Sequence, residues 1–497
     1  MTTRRPPLVP GPMAPATSGS PPSPGSSRAT LGRGGWSKPA MWPARSLSNR
    51  AALAPWGAVV GACLLAVACT ASSEEVQPER DQIYFPTGLA MTPTEDRLFV
   101  LSANSELRFD SGSLTAWDLA KVDEIAAGWL ANRTQPGGCR IDDTSRDILV
   151  CDEGQAGPGF ILPDAGVRVG NFGTAVATQD LGDGRLRLIS AVRGDPSVTW
   201  AEWDGTRIRC DGGAEGYPLC DDEHRLTRLR GDADLPALAE EPFAVATDAG
   251  SEVALVSHFT SGRVTLVDSR RAGTPILTDT INGLFEAGTS SQPGALALAA
   301  RNPGQPDTLW YVGSRTEDRI QLMTVDRPSD GRPASLVLGP FFFLDSVGSS
   351  NGSSADTRAM QFGSGGDRLY LVNRQPPSLQ VFDTSLAATG VPRNVGLTST
   401  DLCREASSLV VADVGDGDRA FVSCFRDGEV YVIDPRGRAS VEAIATVGRG
   451  PFALVVSTTR RKLYVSNFLE DSIAVVELSP DSPRRYQVIL RLGEPRL

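Results

Sequence analysis

From about residue 83 to the C-terminus, apolar and polar positions alternate in short runs broken by Gly- and Asp-rich turns. β-Branched and aromatic residues fill the apolar positions. A period of two with such residues predicts strands. Three stretches show the plan: "RKLYVSNFLEDSIAVVEL" (461–478), "DRLYLVNRQPPSLQVFDT" (367–384) and "DRAFVSCFRDGEVYVIDP" (418–435). Each has a charged turn, an apolar strand, a polar knuckle, a second alternating strand and an acid. No segment of this region shows a convincing amphipathic helix period.

The plan recurs seven times. First strands begin "FPTGLAMTP" (85), "FGTAVATQD" (172), "EPFAVATDA" (241), "QPGALALAA" (292), "DTRAMQFGS" (356), "EASSLVVAD" (405) and "GPFALVVST" (450). Third strands end on Asp118, Asp204, Asp268, Asp326, Asp383, Asp434 and Glu477. A fourth strand is implied by "VRVGN" (167–171), "SLVLG" (335–339), "AIATVG" (443–448) and the closing "YQVILRLGEP" (486–495). Four-stranded units that cannot bury both faces alone predict an all-β fold, a seven-bladed β-propeller of antiparallel blades. The long first spacing places an insertion between strands three and four of blade one.

The "LYVSN" of 463–467 and "LYLVN" of 369–373 resemble the YVTN-type repeats of bacterial surface propellers and lactonase-like proteins. The resemblance implies a seven-bladed ring from about residue 83 to the end. It does not choose among enzymes, binders and scaffolds.

Ahead of the repeats, residues 1–40 are Pro-, Ser- and Gly-rich and read as a disordered or untranslated extension. Residues 41–68 have a basic start, an apolar run and a small-residue end, the layout of a signal peptide. "LLAVAC" ends at Cys69 and resembles a bacterial lipobox, which implies a lipid on that thiol; "VGAC" at Cys63 fits the same pattern less well. Residues 69–82 read as a linker, and 83–497 as the propeller, with cysteine-bearing insertions at about 120–166 and 205–232.

Charge narrows the partners. The chain carries −11, and seven basic residues precede Cys69, so the processed protein carries −11 − 7 = −18. Such acidity excludes a phosphate backbone as partner, and no nucleic acid is expected. The spacing of the six remaining cysteines favours Cys139–Cys151, Cys210–Cys220 and Cys403–Cys424, bridges that an exported protein can keep. With two domain histidines, His224 and His258, and no CxxC pair, neither a metal nor another cofactor is expected.

The knuckle after the second strand should line the central channel. That makes Asn104, Arg193, His258, Arg315, Asn373 and Asn467 the candidate ligand-binding ring, with turn-forming roles as the alternative. His258 is the one candidate general base. "DVGDGDR" (413–419) reads as a turn and not a calcium loop, and "PFFFLD" (340–345) as core packing in a long loop or a docking patch. No catalytic residues are assigned. The expectation is an exported, lipid-anchored monomer in the bacterial cell envelope, at the outer membrane, binding a protein or surface polymer without catalysis. Two alternatives remain: a lactonase-like hydrolase with its site at the central channel, and a structural envelope protein.

Overall fold

In each repeat four strands pair antiparallel in chain order, and seven such sheets stand around one axis. The computed structural model describes residues 76–495, apart from 155, 211–215, 286–293, 304, 306–307, 331 and 345–354. The lipidation candidate Cys69, its competitor Cys63 and the signal segment lie outside the described residues. First strands line the channel and pack on their neighbours all the way round, Pro86–Met91 meeting Pro451–Ser457 to close the ring. The seven-bladed propeller expected from the repeat is the observed fold.

Each gap between adjacent blades holds its own apolar core; Phe421, Leu463 and Val476, for instance, pack between blades six and seven. Both faces of a blade are therefore buried, and no blade has a core of its own. Three of the acids that end the third strands form turns. Asp204, Asp383 and Asp434 each accept the N–H two residues on, at 2.9–3.0 Å. Asp413 does the same for Gly415 and Gly417 in the "DVGDGDR" turn, at 2.8 and 3.1 Å.

The insertion of blade one contains a feature that the sequence reading passed over. Residues Leu119–Asn132 form a helix, α1. Asp118, read as a strand-ending acid, is its N-cap, its carboxylate accepting from Ala120 N at 2.9 Å. Leu119, Val122, Ile125, Ala126 and Trp129 bury one face of α1 in the joint between blades seven and one. The chain then forms a hairpin, Cys139–Ile141 with Leu149–Cys151, whose second arm pairs parallel to the last strand, Val488–Leu492. Blade seven thus has six strands, two of them lent by blade one.

All three expected disulfides form. Cys139–Cys151 crosses the hairpin, Cys210–Cys220 ties the blade-two insertion, and Cys403–Cys424 joins the entry of strand one to the exit of strand two in blade six. In blade two the fourth strand is split: Ile208–Arg209 and Arg225–Leu226 pair with the two ends of Ser197–Trp203.

"PFFFLD" is not a loop. It ends the outer strand of blade four, Ser335–Phe343. Phe342 packs on Tyr311 and Phe382, whereas Phe341 and Phe343 face solvent, 48% and 62% exposed. Core packing therefore holds for Phe342 and not for Phe341 or Phe343.

Candidate functional site at the central face

One backbone hydrogen bond defines the knuckle of every blade. The residue at the end of the second strand donates its N–H to the carbonyl at the entry of the first. The pairs are Ala103–Phe85, Arg193–Phe172, Phe259–Glu241, Arg315–Gly294, Arg374–Asp356, Phe425–Glu405 and Phe468–Gly450, at 2.8–3.3 Å. In all seven blades the ladder between these strands also slips register just past the entry. The knuckle is thus an equivalent position in all seven blades, and two of its residues, Arg374 and Phe425, line the central cavity. Those positions read Ala, Arg, Phe, Arg, Arg, Phe, Phe.

The structure sets the six candidates in two groups. Arg193 and Arg315 stand on the ring. Asn104, His258, Asn373 and Asn467 sit one residue off it, and all four are buried. Asn104 holds its own turn, donating to Phe109 O and Asn171 Oδ1 at 2.7 Å each. Asn373 accepts from Thr357 Oγ1 at 3.0 Å, and Asn467 donates to Val447 O and Ser472 Oγ at 3.0 Å. His258 is enclosed: Nδ1 lies 3.1 Å from Glu240 O and Nε2 2.9 Å from Thr265 Oγ1. Burial pushes its pKa down to about 4, so at neutral pH it is an uncharged strut with both nitrogens engaged.

A single residue of register separates a buried strand end from a channel-facing knuckle. For that reason the sequence reading missed Phe259, Arg374, Phe425 and Phe468, together with the entry residues Glu241, Asp356 and Glu405. A strict column comparison of the seven copies would have shown Arg or Phe in six of the seven positions.

These residues build a charged cluster on an aromatic floor. The guanidinium carbons of Arg315, Arg193 and Arg358 lie 4.3, 5.1 and 5.9 Å from the centre of the Phe259 ring. Three carboxylates answer them. Glu241 pairs with Arg193 at 2.5 Å, Asp356 with Arg358 at 2.7 Å and Glu405 with Arg374 at 2.7 Å. Two of these pairs bridge neighbouring blades. Among the described residues no carboxylate lies within ion-pair distance of Arg315, and Arg193 Nε, Arg358 Nε, Glu241 Oε2 and Asp356 Oδ1 have no protein partner. Glu241 and Glu405 hold left-handed backbone, φ 50° and 62°. The entry residues Phe85 and Phe172 hold the same conformation, φ 46° and 58°, so it belongs to the entry turn of the repeat.

Electrostatics in the cluster are strained. Burial, with Arg374 and Arg315 adding like charge, drives the Arg358 pKa below its usual value against the pull of Asp356. Burial alone would raise the Glu241 carboxyl; Arg193 outweighs it and holds Glu241 below the ordinary range. Beside the cluster lies a cavity of about 340 Å³ lined by Arg358, Arg374, Phe243, Phe425, Phe452, Ser407 and Ser408. That is a small-molecule volume. Phe85, Phe468, Phe452 and Phe425 continue as an aromatic arc, with neighbouring centroids 5.5–6.2 Å apart along Phe85–Phe468–Phe425. Among the described residues no group of three His, Cys, Asp or Glu is placed to hold a metal ion.

No family model matches the chain, and no curated protein matches it. Solved structures are similar in fold. A "putative 6-phosphogluconolactonase" from Bacteroides fragilis is 12% identical over 81% of this chain and 99% of its own, with a TM-score of 0.52. A protein from Lactobacillus plantarum is 15% identical over 80% of this chain and 97% of its own, with a TM-score of 0.50. Fold and neighbours define the class: a seven-bladed β-propeller. At these identities the likeness concerns architecture alone.

Proposed function

We propose that the protein acts on a small anionic lactone at its central face. The observation that carries this is the set of three guanidiniums gathered over one Phe259 ring, one of which, Arg358, also lines the central cavity. Guanidinium groups make forked contacts to carboxylates and phosphates. They also face a carbonyl oxygen that gains charge as water adds to it. In this reading Arg358 and Arg315 stabilise that oxyanion. Glu241 takes the proton from the attacking water, the ring C–O bond breaks, and the proton passes to the leaving alkoxide. The product is an open hydroxy acid, whose new carboxylate the arginines hold. The name given to the Bacteroides fragilis neighbour supports lactones as the substrate class.

The test is hydrolysis of sugar lactones, phosphorylated and not, by the purified protein in a pH-stat. Turnover above the spontaneous rate, lost in Arg358→Ala, is the expected result. A rate equal to the spontaneous one for every lactone overturns the reading.

A second reading, capture without turnover, is favoured by the low pKa of Glu241 and the enclosure of His258, which leave a weak base at the site. Saturable binding of a lactone or its acid with no ring opening would select it. The ligand is then a surface polymer or protein group bearing an acid.

We further propose that the protein is exported, acts as a monomer and is lipid-anchored through Cys69 to the outer membrane. Three disulfides are consistent with an oxidising compartment. Cys69→Ser should release the folded protein from membranes; acyl chains found on Cys63 would overturn that assignment.

A further inference from the structure

A second cavity lies on the same face, between the knuckles of blades six and seven. It measures about 360 Å³ and shares Phe425 with the central cavity. Two carboxylates border it, and each is already matched: Glu405 by Arg374 at 2.7 Å and Asp427 by Arg404 at 3.3 Å. Two arginines also line it, Arg426 and Arg449, both exposed. Among the described residues neither has a carboxylate within ion-pair distance. The carboxylates are thus neutralised from outside, and two positive charges are left over in the concavity. In a chain of net charge −11, such spare charge on a concave surface attracts anions locally.

The shape is as specific as the charge. Gly450 has φ 66°, and a Cβ there would lie 2.7 Å from Leu469 Cγ. Glycine therefore lets Leu469 close down as an apolar wall opposite Phe425.

We propose that this cavity is a second acid-binding subsite, continuous with the central one across Phe425, and that the ligand is an oligomer of acidic sugars placing one carboxylate in each cavity. The inference rests on the central-face reading above. Two guanidinium-bearing cavities separated by a single ring suit successive units of a chain better than one compact dianion. Phe425 and Leu469 offer apolar faces to the C–H surfaces of a sugar, and in the central cavity Ser407, whose hydroxyl donates to Glu405 O at 2.7 Å, offers an acceptor oxygen. The exposure of Arg426 and Arg449 leaves the outer end open for a chain to continue.

The experiment is calorimetric titration of the purified protein with galacturonate, digalacturonate and trigalacturonate, alongside the Arg426→Ala/Arg449→Ala variant. Digalacturonate should bind at least tenfold tighter than galacturonate to the wild type. In the variant that gain should vanish, with Tm unchanged. Equal affinity for both lengths in the wild type, or a gain that survives in the variant, overturns the subsite and leaves the central-face reading standing. Inorganic phosphate that binds the wild type and is lost in the variant assigns the cavity to single small anions, which also overturns the oligomer. If galacturonate does not bind and no lactone is bound or turned over, the central-face reading fails first and takes the subsite with it.

Discussion

The joint between blades seven and one and the knuckle face are built from the same residue types to opposite ends. At the joint, polar groups are matched. The Glu95 carboxylate of blade one accepts from Thr458 N and Ser457 Oγ of blade seven, at 3.1 and 2.6 Å, and Arg491 pairs with Asp142 at 3.0 Å. Trp129 is fully buried and donates to Asp147 O at 3.1 Å. On the knuckle face, guanidiniums crowd one another, buried polar atoms lack partners and two glutamates hold left-handed backbone. The first region places its ion pairs and hydrogen bonds across the seam and holds the ring shut, although Tyr464 Oη there has no hydrogen-bond partner and Glu95 also holds left-handed backbone, φ 55°. The second crowds like charges together on a concave face, an arrangement that attracts anions.

That contrast can be broken from the joint first. Trp129→Ala removes a large side chain from the core shared by α1, the hairpin and both terminal blades. It should destabilise the protein by about 3–5 kcal/mol, read as a fall in the urea midpoint, with ligand affinity unchanged in the remaining folded fraction. A retained midpoint would mean that the ring closes without its clasp.

Next comes the bridge in that clasp. Cys139→Ser/Cys151→Ser opens a loop of 12 residues, and the expected loss is about 3 kcal/mol through a less restricted unfolded chain. The equivalent change at Cys210 and Cys220 should loosen its insertion without opening the ring. Limited proteolysis would separate the two outcomes.

Acid gives a third probe. His258 stays neutral when folded until about pH 4, whereas in the unfolded chain it takes a proton near pH 6.5. Between those values the unfolded state binds more protons, so stability falls as pH drops through the window. The contribution is about 3 kcal/mol by pH 4. Urea midpoints measured from pH 7 to 4 should show this slope in the wild type and a shallower one in His258→Asn.

The smallest effect on stability is expected on the face itself. Arg315→Met removes a guanidinium that has no carboxylate within ion-pair distance among the described residues and rests on the Phe259 ring, so stability should change by no more than about 1 kcal/mol. Affinity for the acidic ligand should nevertheless fall at least tenfold. A large loss of stability with unchanged binding would put Arg315 on the structural side of the comparison.

Much of this was legible beforehand. Blade count and strand order follow from a repeat with one strand period, and the disulfide pairing from short cysteine spacings, two within the insertions and one at matching strand ends of blade six. Helix α1 was legible and missed. Leu119, Val122, Ile125, Ala126 and Trp129 follow a helical period behind an N-capping Asp118, but the acid had been assigned to the strand pattern. The knuckle was missed for a different reason. Asn373 and Asn467 stand out as turn formers, whereas the working positions are their neighbours Arg374 and Phe468.

The sequence alone determined that blades form, how many there are and which residues pair within each, because neighbouring strands are joined by short turns and the period of two fixes their buried faces. Tertiary structure decided everything that joins distant parts of the chain. It brought the Leu149–Cys151 arm to Val488–Leu492. It gathered Arg193 and Arg315 over the Phe259 ring and brought Arg374 to the wall of the central cavity. It also set Glu241 and Glu405 against arginines of the preceding blades. Such contacts carry no periodic mark in the sequence, since each depends on one residue of register and on a ring closed some 400 residues apart, as Phe85 N on Asp471 Oδ1 shows with a separation of 386.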